Sequence, residues 1–311
     1  MKYPLFCTAV SVLLLSCTPS SSVEIQAQTP SQMPSSPADP EKEGSGSMED
    51  PVTPPAKTYD PFQAEKAFGV GVHSHNDYAQ ERPFWGAYEA GAISIEADIW
   101  MVNRKIYVAH DREDIMEDAL ITQLYLDPIK KVMADNGGRA YADGRPLQLL
   151  VDLKNGKAGL DKLVDIIQSG GYAQCFDRVH NPYAVRLLVS GDAVEAKDFT
   201  SYPDFVFFDG RPGRDYTAGQ LARVPLISQA KSSYTSWSGV ILPLPETDAQ
   251  KIRADVEAAA KLGCGFRVWG FPDTELGWET ALSLGVSYIN SDKPADAVKW
   301  LAKQKKLKHF I

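Results

Sequence analysis

The residues best suited to chemistry fall in four short stretches. GVHSHNDY (71–78) holds His73 and His75, two of only five histidines in the chain, followed by Asn76 and Asp77. ISIEAD (93–98) carries Glu96 and Asp98 two apart, KIYVAHD (105–111) ends on His110-Asp111, and LQLLVDLK (147–154) ends with Asp152 and Lys154. In an extended chain, side chains alternate between two faces. Gly69, Gly71, His73 and His75 then share a face, opposite Val70 and Val72; Ser94, Glu96 and Asp98 share another, opposite Ile93, Ile95 and Ile99. Leu150, Asp152 and Lys154 share a third, opposite Leu149, Val151 and Leu153. An ionisable group buried alone is costly, so strands that each end this way imply groups satisfying one another around a common centre. Glu96, Asp98 and Asp152 facing one point would repel, and one hard divalent cation with oxygen ligands, Mg2+ or Ca2+, resolves the repulsion. The structural alternative is an internal salt bridge from Glu96 or Asp98 to Lys154. The lack of a cysteine ligand and the few nearby imidazoles do not suit structural zinc. His73 and His110, both at strand ends, suit a general acid and base on opposite sides of a reacting centre, with the cation polarising the reacting oxygens.

These groups need a scaffold that brings several strand ends together. Apolar or alternating runs predict strands at 68–73, 93–98, 105–110, 147–153, 186–190, 205–209, 225–229, 266–269 and 286–290. Helical patterns lie at 82–91, 117–135, 157–170, 192–200, 216–222, 245–262 and 274–285. The clearest is PETDAQKIRADVEAAAKLGC, with Pro and acids at its start and Gly263 where it should stop. Strands alternating with helices predict a parallel sheet covered by helices. The NRK link between 93–98 and 105–110 is too short for a helical crossover, so 105–110 is a hairpin arm. The fold class expected is α/β, a (β/α)8 TIM barrel over residues 61–311, with its site at the C-terminal mouth. An open doubly wound sheet is the alternative, without a glycine-rich fingerprint to support it.

The motifs in order, VHSHNDY, IEADIW, YVAHD, VDLK, VWG and GVSYINSDKP, resemble the glycerophosphodiester phosphodiesterase family of phosphatidylinositol-phosphodiesterase-like TIM barrels. The resemblance spans residues 72–294 and implies metal-assisted cleavage of a phosphodiester. It implies His73 and His110 as acid and base, Glu96, Asp98 and Asp152 as ligands, and Lys154 as a phosphate contact. Trp269 matches an aromatic beside substrate, with core packing as its alternative. The sequence departs from the family at His-Arg-Gly and Pro-Glu-Asn, where it has His73-Ser74-His75-Asn76-Asp77, and at the third acid, usually glutamate. The HSHNDY version is similar to fungal altered-inheritance-of-mitochondria-type proteins and to phospholipase-like bacterial lipoproteins. His75 thus has no inherited role but can face the same site, and Asn76 suits either a phosphate contact or a turn. Arg211, in FFDGRPGRDY, can supply the missing phosphate contact or be a surface residue of a polar turn.

Residues 1–16 resemble a bacterial lipoprotein signal peptide, with Cys17 as the lipidated residue; the apolar stretch is short for a membrane span. Residues 17–60, rich in Ser, Pro, Gln and Glu, read as a disordered tether. A membrane partner reached through the N-terminal anchor, a bacterial cell-envelope location and a monomer are expected. With 32 basic against 40 acidic residues, net −8, nothing suggests a nucleic-acid partner. Cys175 and Cys264 fall three strands apart and should not bridge; His180 and His309 are expected at the surface. The function expected is that of a metal-dependent phosphodiesterase, a hydrolase acting on a glycerophosphodiester or a lipid headgroup. The alternatives are metal-independent phosphatidylinositol-specific phospholipase C-like lyase chemistry and a non-catalytic binding lipoprotein.

Overall fold

A computed structural model describes residues 68–308 of the chain, with side chains as far as residue 305. The expected signal peptide, Cys17, the expected tether (17–60) and His309 therefore lie outside the described residues. Among the described residues nine strands form: β1 (Gly71–Ser74), β2 (Ser94–Val102), β3 (Lys105–Val108), β4 (Gln148–Leu153), β5 (Arg186–Gly191), β6 (Val206–Gly210), β7 (Leu226–Ala230), β8 (Gly265–Trp269) and β9 (Tyr288–Ser291). Eight pair in parallel in the closed ring β1-β2-β4-β5-β6-β7-β8-β9, and β9 returns to β1. This is the (β/α)8 barrel. β3 runs antiparallel to β2 as the hairpin arm, and Asn103 and Arg104 turn the corner with φ of 50° and 63°. Two consecutive left-handed residues are what a tight hairpin requires.

The helices are α1 (Trp85–Ala90), α2 (Asp127–Asp135), α3 (Gly156–Ser169), α4 (Ala173–Phe176), α5 (Ala218–Leu221), α6 (Glu246–Lys261), α7 (Glu275–Ser283) and α8 (Pro294–Lys308). A wider helical turn, Thr122–Leu126, leads into α2. The stretch expected as a helix at 192–200 forms only a tight turn of 3-10 type at Ala196–Ser201. The sequence pattern indicated neither the single turn α4 nor α8. Its apolar Ala297, Trp300 and Leu301 pack on Val72 and Ile289, closing the outside of the barrel across β1 and β9.

Two cores follow from strand alternation. Outward residues such as Ile95, Ala97, Ile99, Leu149 and Val151 meet the helices. Inward residues Leu150, Leu188, Phe207, Leu226 and Tyr288 fill the barrel floor. Ile93 departs from the expected alternation and joins this inner set. It does so because Gly71 has no side chain: a Cβ there would come within 2.2 Å of Ile93 Cδ1. Deeper still, the fully buried Arg186 donates to Gln148 Oε1 at 2.9 Å and to the Tyr288 hydroxyl at 2.6 Å. A cavity of about 360 Å3 opens at this N-terminal end, away from all the histidines singled out above. Cys175 and Cys264 are both buried and no disulfide joins them.

Candidate active site

The polar groups gather at the opposite end, where the parallel strands finish. Asp98 and Asp152 are register partners on β2 and β4, and Glu96 stands one inward position below Asp98. Inward alternation alone puts all three in the barrel mouth.

Asp98 is the hub. Its Oδ2 accepts from Lys154 Nζ at 2.8 Å, from the Tyr78 hydroxyl at 2.9 Å, and lies 2.9 Å from His110 Nδ1. Lys154 Nζ also reaches Asp152 Oδ1 at 3.0 Å. Burial pulls the Lys154 pKa down, but its bonds to Asp98 and Asp152 outweigh this and hold it above the usual lysine value. Burial, and then the Asp98 charge, push the Asp152 carboxyl upward against the lowering effect of Lys154. The salt-bridge alternative read from the sequence is thus present, between Lys154 and Asp98.

Below the hub, Arg267 on β8 is a buried cation that sequence reasoning missed, hidden in an apolar FRVW run. Its Nη1 lies 2.7 Å from His73 Nε2, 3.4 Å from Glu96 Oε2 and 3.3 Å from Asn290 Oδ1, and its Nε donates to Ser228 Oγ at 3.2 Å. His73 Nδ1 sits 2.7 Å from Ser94 Oγ and its Nε2 2.7 Å from Glu96 Oε2. His73 is wholly buried, and its pKa is pushed down to about 4, first by burial and then by the Arg267 charge. This corrects the expectation that His73 exchanges protons with substrate: both ring nitrogens are engaged, and the ring is neutral near pH 7. Burial alone would raise the Glu96 pKa, but His73 and Arg267 hold it well below the usual carboxylate range.

His75 and His110 make the two rim histidine–carboxylate pairs. The His75 side chain is 22% exposed, and its Nδ1 lies 2.7 Å from Asp292 Oδ1. Burial lowers its pKa, but the Asp292 bond and the charges of Glu96 and Asp292 raise it above the usual histidine value. The His110 side chain is 60% exposed. It is placed by the Ala109 N–H, which donates to Asp98 O at 3.1 Å. The two histidines are linked through Asn76 and Tyr78. Asn76 Nδ2 lies 3.0 Å from His75 Nδ1, and the Tyr78 hydroxyl lies 2.7 Å from Asn76 Oδ1, a second acceptor within its reach, and 3.2 Å from His110 Nδ1. Burial, with Asp98 beside it, pushes the Tyr78 hydroxyl pKa far up, so it remains a donor. The loop carrying these residues is tied down by the buried Asp77, which accepts from Ser74 Oγ, Phe84 N–H and the Tyr125 hydroxyl. Asn76 is also the turn residue, at φ 47°, a conformation asparagine tolerates. Asp292 is held in turn by its own N–H donating to Asp273 Oδ2 at 2.7 Å.

Arg211 lies at the same rim, with Nη1 on Asp209 Oδ2 at 3.0 Å. Trp269 ends β8 with 42% of its surface exposed, so it is a rim residue and not core. His180 is at the surface, paired with Asp177.

The three carboxylates expected to share one cation are not gathered on a single point in this structure. Among the described residues no three His, Cys, Asp or Glu side chains converge so as to hold an ion. Glu96 turns to His73 and Arg267, while Asp98 and Asp152 close on Lys154. Three observations nonetheless fit these oxygens to a hard cation. Asp98 Oδ1 is buried with no hydrogen-bond partner among the described residues, a condition that calls for an explanation such as an ion. His73 Nε2 meets both Arg267 and Glu96, and a neutral imidazole nitrogen either donates or accepts, so one of these contacts goes unsatisfied. Three carboxylates also face only two cations, Lys154 and Arg267.

Residues 63–172 match the AIM6-like phosphodiesterase domain, and the superfamily resemblance read from the motifs stands. Altered inheritance of mitochondria protein 6 homolog of Arthroderma benhamiae is 27% identical over 72% of this chain and 81% of its own length. The Eremothecium gossypii protein of that name is 26% identical over 71% of this chain and 67% of its own. Among solved structures, a glycerophosphodiester phosphodiesterase from Parabacteroides distasonis is 16% identical. It covers 76% of this chain and 98% of that one at a TM-score of 0.48. A calcium-dependent phosphoinositol-specific phospholipase C from Pseudomonas is 13% identical, covering 73% and 89% at 0.45. The curated relatives are fungal, which overturns the expectation of a bacterial cell-envelope lipoprotein.

Proposed function

We propose that this domain cleaves phosphodiesters at the barrel mouth, with His75 and His110 as its proton-transfer pair. The observation that carries the reading is the pair of rim histidines, each held through Nδ1 by a carboxylate and joined through Asn76 and Tyr78. A carboxylate on Nδ1 fixes the ring and leaves Nε2 for proton exchange. His110 would take the proton of an attacking hydroxyl or water as its oxygen bonds to phosphorus. His75, whose raised pKa favours its protonated form, would give a proton to the leaving oxygen as the old P–O bond breaks. Lys154 and Arg211 would bind the phosphoryl oxygens, and Trp269 would pack beside the group esterified to them. Glu96, Asp98 and Asp152 would hold one divalent cation, Mg2+ or Ca2+, which when bound supplies charge neutralisation to the phosphoryl oxygens.

The test is turnover of bis(p-nitrophenyl) phosphate and of glycerophosphodiesters, with and without a chelator. His110→Ala is expected to lower kcat by about 10^2–10^4-fold, the usual weight of a general acid or base, with the thermal transition kept. Unchanged turnover in that variant overturns the assignment. Chelator-insensitive turnover sinks the cation and leaves Lys154 and Arg211 as the phosphate-binding charges.

A further inference from the structure

The loop between β7 and α6 presents three consecutive large aliphatic side chains to water. Val240, Ile241 and Leu242 are 68%, 83% and 72% exposed, the most exposed aliphatics among the described residues. Side chains of this size are ordinarily withdrawn from water, and a loop free to collapse would hide at least one. This loop is held open. The Trp237 ring is buried beneath it, and its Nε1–H donates to Leu242 O at 2.6 Å. Lys231 Nζ donates to Trp237 O at 2.8 Å, and the Thr274 hydroxyl donates to Gly239 O at 2.9 Å. Trp237 also packs against Phe271, with ring centroids 5.8 Å apart. Gly239 has φ 69°, and a Cβ there would come within 2.4 Å of Pro272, so the backbone seats directly on the loop that follows β8. Pro243 and Pro245 stiffen the descent into α6. The base is fixed by hydrogen bonds while the tip stays apolar.

The position of this tip identifies its partner. It rises from the C-terminal end of β7, whose last residue, Ala230, is the register partner of the exposed Trp269 on β8. The apolar tip and the candidate site therefore share one rim. We infer that Val240, Ile241 and Leu242 insert into a lipid surface and dock the barrel mouth on it, so that the phosphodiester handled is that of an amphiphile held in a membrane or micelle. The choice of a lipid over another apolar partner rests on the phosphodiesterase reading, because an acylated phosphodiester would bring an apolar surface to this mouth. Aliphatic side chains entering the headgroup–acyl boundary, with an aromatic at the same level, are a general mode of interfacial binding.

The test uses the full chain and phosphatidylcholine vesicles. In the Ile241→Trp variant, vesicles brominated on their acyl chains are expected to quench tryptophan emission beyond the quenching of wild type. The Ile241→Asp/Leu242→Asp double variant is expected to partition onto plain vesicles at least ~10-fold more weakly, given the apolar burial lost at each position. Its turnover of a water-soluble phosphodiester should be unchanged. No excess quenching at position 241 overturns the inference, even where the whole chain binds vesicles by another part. Concentration-dependent dimerisation that the double variant loses, without excess quenching, assigns the tip to a second copy and also overturns it. Neither vesicle readout requires turnover, so failure of the phosphodiesterase reading shows separately, as absent activity on every soluble phosphodiester.

Discussion

Replacing Arg267 with Met keeps most of the side-chain volume and removes the charge that the barrel is built around. Arg267 is buried, within 3.4 Å of Glu96 and 3.9 Å of Asp209, and bonded to Ser228 and Asn290. Both carboxylates are buried as well. Deleting one partner of a buried ion pair leaves an uncompensated charge and typically costs about 3–5 kcal/mol. For a domain of this size each kcal/mol moves Tm by about 2–4 °C, so Arg267→Met should lower Tm by roughly 10 °C. Circular dichroism on purified wild type and variant reads this directly. Adding Glu96→Gln to the variant should recover part of the loss, because it removes one of the stranded charges. Millimolar Mg2+ or Ca2+ should also narrow the gap, since a cation on Glu96 replaces the missing positive charge. A variant melting within about 3 °C of wild type would refute the reasoning, and so would a loss that Glu96→Gln deepens.

Asp292→Asn should lower the His75 pKa, read by the imidazole resonances in NMR. Because the folded value lies above the ordinary one, the pair's stability contribution is full below about pH 6.5 and is lost as pH rises through the folded pKa. If His75 is the acid, the alkaline limb of activity should move to lower pH in the same variant. Tyr78→Phe removes the hydroxyl that touches Asn76, Asp98 and His110, and should lower kcat about 10–100-fold, the worth of a hydrogen bond to a charged group. A pre-steady-state assay with soluble substrate separates this from product release. Gly71→Ala would drive a methyl group into Ile93 and should cost about 1–3 kcal/mol by overpacking, measured by urea denaturation.

All nine strands, the hairpin arm β3 among them, and seven of the helical or turn segments were legible in the sequence. Period-two alternation marks a half-buried strand, and β2 and β4 show it most plainly, with Ile95, Ala97 and Ile99, and Leu149, Val151 and Leu153, forming unbroken aliphatic rows on their outward faces. The inward placement of Glu96, Asp98, Asp152 and Lys154 followed from the same alternation. α8 was missed because its apolar face, Ala297, Val298, Trp300 and Leu301, is confined to one short stretch and runs on into lysines, too brief for a clear helical period. Local pattern also failed at Ile93, where a glycine on the neighbouring strand opened an inward position.

The sequence by itself determined that acids, histidines and a lysine would meet at one end of a barrel. Which cation each acid holds was decided only in three dimensions. Arg267 meets His73 across 194 residues of chain, and Asp292 meets His75 across 217. No local spacing encodes such pairs; barrel closure between β9 and β1 creates them. Closure buries His73 beside an arginine and leaves it neutral, while the next inward residue, His75, emerges at the rim opposite a carboxylate. Two histidines two residues apart on one face therefore differ in the two quantities that set acid–base chemistry, desolvation and neighbouring charge.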